Sequence, residues 1–121
     1  STGCARCHNG PMLSDYKLHD LGIADNEKLN FSDSGYNGSY AFRTPSLRNL
    51  RFTWPYMHNG KIQTLDNVLT FYDDLNGKDP LNKNVNPEKI DSLARKLKVE
   101  FKNINAIIEV LNTLNDDKYD R

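Results

Sequence analysis

The 121-residue chain reads as an all-α domain with long irregular loops. Three observations carry that expectation. Apolar residues recur at helical spacing in three stretches of the second half. Residues 12 to 45 show no sustained period of 2 or 3.6. Near the start, Cys4-Ala5-Arg6-Cys7-His8 places two thiols about one helical turn apart, with an imidazole directly after the second.

Taken in order, that first turn ends at Asn9-Gly10-Pro11, because a Gly-Pro pair interrupts any regular element. Residues 12 to 45 are rich in Asp, Asn, Ser, Gly and Tyr, punctuated by Gly22, Gly35 and Gly38, and read as one long ordered loop. Ser46 to Leu50 is expected to form a short turn after Pro45. Thr64 is a good N-cap for a helix over Leu65 to Tyr72, in which Leu65, Val68, Leu69 and Tyr72 share one face. Asn76-Gly77-Lys78-Asp79-Pro80 and the Asn/Lys-rich stretch after it read as surface loop. Asn86-Pro87 opens a second helix, expected to reach about Lys98 with Ile90, Leu93 and Leu97 inward. After Asn103, the residues Ile104, Ile107, Ile108, Leu111 and Leu114 form the strongest amphipathic stripe. The polar tail Asn115 to Arg121 is expected to fray.

The length fits one domain, residues 1–121, and no stretch is long and apolar enough to span a membrane. Sixteen basic and sixteen acidic residues cancel, so nothing points to nucleic acid or an anionic membrane. At 37% hydrophobic and a mean hydropathy of -0.73, the chain is poor in core-forming residues. A large apolar group at its centre would supply what the side chains lack.

The pentapeptide suggests that group. C-x-x-C-H is the attachment signature of c-type haem: each thiol forms a thioether to a vinyl group, and the adjacent imidazole, His8, is presented to the iron as proximal ligand. The competing explanations are weaker. A thioredoxin-like pair needs a βαβ context that is missing here. A structural zinc site would have only His19 and His58 to complete it, at no usual spacing. A Cys4–Cys7 disulfide would close a tiny loop and stabilise little. The chain opens at Ser1-Thr2-Gly3 with no charged-then-apolar leader. Covalent haem attachment is completed outside the bacterial cytoplasm, so the expectation is a periplasmic protein whose leader was removed, or a piece of a longer exported one. Cytochrome c domains normally carry a helix before the attachment site, which favours the second.

The middle of the chain then resembles a known family. Phe42-Arg43-Thr44-Pro45-Ser46-Leu47-Arg48-Asn49-Leu50, Thr53-Trp54-Pro55-Tyr56-Met57-His58-Asn59-Gly60, Thr64-Leu65 with Val68, and the earlier Leu18-His19-Asp20-Leu21-Gly22 are similar to the C-terminal domain of the bacterial di-haem cytochrome c peroxidase and MauG family. The resemblance runs from Gly3 to about Leu114. It implies a cytochrome c-like haem domain that passes electrons to or from a peroxide-reactive haem in an N-terminal domain of the same protein, with a redox partner protein as a further partner. An isolated chain would then be a weak peroxidase or none. The alternative is a free-standing mono-haem electron carrier, and a third possibility is a haem-free binding module.

The distal position has two candidate ligands, with an open or otherwise occupied site as the remaining alternative. Composition alone selects Met57, since a thioether stabilises ferrous iron, although a methionine beside Tyr56 is also an ordinary gap-filler. The family resemblance selects Tyr72, 14 residues beyond His58, where peroxidases carry Met and MauG-like members Tyr. Tyr72 also lies on the apolar stripe, so it could simply be core with its hydroxyl bonded to backbone. The resemblance further places His58 near the haem, and matches Thr53 and Pro55 to positions whose backbone carbonyls bind calcium between the two family domains. Arg43 and Arg48 are candidates for the haem propionates, and Trp54 for the domain interface.

Overall fold

In a computed structural model that describes residues 2–76 and 81–116, the periodic stretches of the second half become helices. They are α1 (Leu65–Leu75), α2 (Ser92–Arg95) and α3 (Ile104–Asn112). α1 starts where expected because the Thr64 hydroxyl accepts the N–H of Asn67 at 3.2 Å. Its expected stripe, Leu65, Val68, Leu69 and Tyr72, lines a cavity. Phe71 and Leu75, outside that stripe, are buried as well. α3 buries Ile104 and turns Ile107 and Leu111 to the same cavity, with Leu114 just beyond its end. α1 packs against both α2 and α3.

The second helix departs from the sequence expectation. Asn86 caps a 3-10 turn, Pro87–Lys89, by accepting from Glu88 N–H at 3.0 Å, but Ile90 is extended (φ -59°, ψ 135°) and α2 begins only after Asp91. Asp91 caps it by accepting from the N–H groups of Leu93 and Ala94, while its own N–H donates to the Asp20 carbonyl at 2.8 Å. A contact from far upstream therefore interrupts what local propensity would continue. Ile90 and Leu97 are buried as expected, and Leu93 faces the cavity.

The all-α expectation is also corrected. Leu18–His19 (β1) and Phe42–Arg43 (β2) pair antiparallel, in the register Leu18 to Arg43 and His19 to Phe42. Two-residue strands carry no legible alternation, so the long loop concealed them. The turn expected at Ser46 to Leu50 lies instead at Leu50–Phe52, after Asn49 in the left-handed conformation. Asn49 also receives the tail: its N–H donates to the Leu114 carbonyl, and its side-chain oxygen accepts from Asp116 N–H at 2.7 Å. Asn115 and Asp116 are thus docked rather than frayed, and residues 117–121 lie outside the described residues. The expected loop at residues 77–80 also lies outside them. The stretch after it is not all surface, since Asn82 and Val85 are buried.

The core has two parts. Ile23, Phe71, Leu75, Val85, Ile90 and Ala94 form one cluster, and Leu69, Leu97, Val99 and Ile104 the other. Tyr72 packs against both, at the wall of the cavity they flank. No helix among the described residues is long and apolar enough to cross a membrane.

Candidate haem site

Cys4–Arg6 forms a 3-10 turn in which the Cys4 carbonyl accepts from the N–H groups of Cys7 at 3.2 Å and His8 at 2.9 Å. Asn9 closes it, its amide donating to the carbonyls of Ala5 and Arg6. Gly3 permits the close approach of this turn to Leu97: it sits at φ 93°, and a Cβ there would lie 3.1 Å from the Leu97 side chain. Cys4 and Cys7 are both free, partly buried thiols. Burial pushes the Cys7 thiol above its ordinary value, helped by the Asp15 and Asp91 carboxylates.

The His8 ring nitrogen Nδ1 lies 3.0 Å from the Leu13 carbonyl. A carbonyl can only accept, so Nδ1 carries the proton and Nε2 keeps its lone pair for a metal. Burial lowers the imidazole below its ordinary value, which keeps it neutral. This is the state in which histidine binds iron.

Cys4, Cys7 and His8 open onto a cavity of about 810 Å³ lined mainly by apolar side chains. Such a volume lies toward the large end of the roughly 300–1,000 Å³ typical of cofactor and ligand sites. Tyr72 and Met57 both line it, so the structure brings together both candidates for the distal ligand. Tyr72 packs edge-on against Phe71 (ring centroids 5.4 Å apart), and no hydrogen bond of its hydroxyl is found among the described residues. Its ring is reachable from the cavity but otherwise enclosed by the fold. The phenol is accordingly pushed up to about 12, first by desolvation and then by the nearby Cys4 and Cys7. Met57 has a left-handed backbone (φ 71°) and packs against the first core cluster.

His58 lines the cavity and stacks on Phe42, with ring centroids 3.6 Å apart and planes inclined by 11°. Burial lowers its pKa, against the opposing pull of Asp33 and Asp25. Arg43 and Arg48 are exposed residues at the cavity wall. Arg43 lies over the Tyr16 ring at 5.9 Å, and Arg48 donates to the Pro11 carbonyl through Nε and a terminal nitrogen, at 3.2 and 2.8 Å. Thr53 and Pro55 also line the cavity, and Trp54 between them is 61% exposed.

Beside the cavity lies a group of side chains that sequence reasoning missed. His19 binds Asp15 through Nε2 at 2.8 Å and Asp91 through Nδ1 at 2.5 Å. Carboxylates only accept, so both ring nitrogens donate and the ring is an imidazolium. The pKa agrees in direction: burial lowers it, but the bonds to Asp91 and Asp15 outweigh that and raise it above its ordinary value. Asp15 is held at about 2, its burial outweighed by bonds from Lys17 N–H, His19 and Thr44. Cys7, Asp15 and His19 bring ligand-type atoms within 4.8 Å of one another, but His19 has both nitrogens engaged and none left for a metal. His19 was visible in the sequence as part of a motif and as a weak zinc candidate, but not as the centre of this group. Asp91, 72 residues away, had no sequence signal.

Comparison with known proteins now gives the class. A MauG-like protein associated with microbial copper homeostasis superposes with a TM-score of 0.71 over 96% of this chain and 41% of its own, at 22% identity. That likeness is one of fold, and it fits a cytochrome c-like domain. A cytochrome-c peroxidase from Denitromonas iodatirespirans is 36% identical over 107 residues, covering 63% of this chain and 29% of the relative. The methylamine utilization protein MauG of Methylorubrum extorquens is 40% identical over 74 residues, covering 58% of this chain and 21% of its own length. No protein-family model matches. These similarities support the bacterial di-haem cytochrome c peroxidase and MauG family, with this chain as a haem-containing domain of it. The chain spans less than a third of the length of these curated relatives.

The residues present fit the haem c that the family implies. Two free thiols and a histidine with an available Nε2 open onto one large apolar cavity, the donor set and surroundings that covalent haem requires.

Proposed function

We propose that residues 1–121 are a single C-terminal haem c domain of a di-haem peroxidase or MauG-like protein in the periplasm. It passes electrons to or from a peroxide-reactive haem in an N-terminal domain and exchanges them with a redox partner protein. The observation that carries this reading is the convergence of Cys4, Cys7, His8 and Tyr72 on one apolar cavity. When bound, one haem supplies a one-electron couple between ferric and ferrous iron. Cys4 and Cys7 hold it covalently, His8 offers Nε2 as proximal ligand, and Tyr72 offers its phenol oxygen as distal ligand. The apolar wall excludes water. His58, Arg43 and Arg48, on the cavity wall, are the contacts assigned to the haem propionates, and the family resemblance of Thr53 and Pro55 supports a calcium ion held through their carbonyls and completed by other groups.

The intact mass of the chain made with haem maturation machinery should exceed the sequence mass by one haem. An unmodified mass would overturn the proposal. Tyr72→Phe should then change the ferric spectrum and raise the midpoint potential, because a hard phenolate favours ferric iron, while Met57→Leu leaves both nearly unchanged. Met57 lines the same cavity, which favours a second reading as a His/Met electron carrier. The opposite result in this pair would establish that reading instead. With both axial positions filled, reduced chain should be oxidised only slowly by peroxide, and rapid multiple turnover would show an open iron.

A further inference from the structure

The Leu13 carbonyl, 3.0 Å from Nδ1, is the leading backbone partner of the His8 ring, with the Pro45 carbonyl acting on it more weakly. Leu13 has φ 53°, a left-handed conformation uncommon for a residue with a branched side chain, so its carbonyl direction must be imposed by neighbours. Two anchors directly follow it. Ser14 is 6% exposed: its N–H donates to the Asn9 carbonyl at 2.9 Å, its hydroxyl donates to the Thr44 carbonyl at 2.6 Å, and that same oxygen accepts from Tyr16 N–H at 3.0 Å. Asp15 is gripped by His19, which is gripped in turn by Asp91, the residue that caps α2. The peptide that orients His8 is thereby tied to β2's flank on one side and to α2 on the other.

We propose that Ser14 and the Asp15–His19–Asp91 clamp are positioning residues for His8, acting through the Leu13 carbonyl to set the plane and donor strength of the imidazole. This rests on the reading of His8 as proximal ligand. A hydrogen bond from Nδ1 to a well-held acceptor fixes the ring and makes Nε2 a better donor, which stabilises ferric iron. Loosening the loop should weaken that donation without removing the ligand.

The test uses the haem-loaded protein with Ser14→Ala and His19→Gln, and Val99→Ala as control. Val99 is 2% exposed in the core and does not line the cavity, so its truncation lowers stability without touching the loop. Ser14→Ala and His19→Gln should keep the covalent haem, shift the g-values of the ferric electron paramagnetic resonance spectrum and raise the midpoint potential. Val99→Ala should lower the melting temperature and move neither. If both loop variants match Val99→Ala in g-values and potential, the positioning role is wrong. His8→Ala separates this from failure of the parent reading. If it leaves the wild-type spectrum intact, His8 is not the ligand and the proposal falls with that assignment; if it changes the spectrum while the loop variants are silent, only the positioning role is lost.

Discussion

Residues 2–63 and the described residues from 64 onward wall the same cavity by different means. Among the described residues, all six non-glycine residues with positive φ, Leu13, Tyr16, Asn37, Tyr40, Asn49 and Met57, belong to the first region, as do all the positive-φ glycines. Its shape is held by side chains bonded to distant backbone: Ser14 to Thr44, Asn26 to the Asn59 carbonyl and Asn59 to that of Ala24. The second region is held by capped helices and apolar stripes, and contributes nine of the ten buried hydrophobic residues among those described, Ile23 being the exception. The first region therefore supplies polar and ligating groups at defined angles, and the second supplies the cohesive energy.

The sharpest way to break this division is to weaken the second region alone. Phe71→Ala removes a ring buried in the first core cluster and absent from the cavity lining. Truncations of this kind cost about 3–5 kcal/mol. Denaturant unfolding should show that loss while the intact mass still reports attached haem.

A pair of glycine substitutions should sharpen the comparison within the first region. Gly35 has φ 67° and ψ -156°, and a Cβ there would lie 2.6 Å from the Ala41 carbonyl oxygen. Gly10 has φ 70° with nothing within 4 Å. Gly35→Ala should cost about 3 kcal/mol, since it occupies a region nearly closed to other residues. Gly10→Ala meets only the left-handed penalty of about 1–2 kcal/mol. Equal melting temperatures for the two variants would show that the Tyr36–Ala41 turn yields more readily than its backbone contacts imply.

The same division explains what could be read from the sequence. Thr64 and the stripe Leu65, Val68, Leu69, Tyr72 announced α1, because a cap and a period are local signals. That Cys4, Cys7 and His8 share one turn facing a cavity was legible for the same reason, since their spacing is local. Ile90 and Asp91 were misread because the helix is interrupted by Asp20 and His19, about seventy residues upstream. Phe71 was missed because the helix packs on two surfaces, and the sheet because Leu18–His19 and Phe42–Arg43 are too short to alternate. Asn82 was placed on the surface as a polar loop residue, yet it is buried by donating its amide to Asp25 and its N–H to the Gly22 carbonyl.

The smallest expected effect is a change in how stability varies with pH, and it isolates an ionic contact between the two regions. His19 in the first region is paired with Asp91 in the second, and its pKa lies above the ordinary 6.5. A group whose pKa rises on folding stabilises fully below its unfolded value and loses that contribution as pH rises through its folded value. Asp15, held at about 2 against an ordinary 3.8, behaves in the opposite sense: its contribution is present above 3.8 and is lost as pH falls toward 2. The clamp is therefore fully formed between those limits. Denaturant unfolding of wild type and His19→Gln across roughly pH 5 to pH 9 should show the widest stability gap at the acidic end, narrowing as the imidazolium loses its proton. Other titrating groups common to both proteins cancel in that difference. A gap independent of pH over this range would mean that His19 joins the two regions as a neutral ring, with one of its carboxylate partners carrying the proton instead.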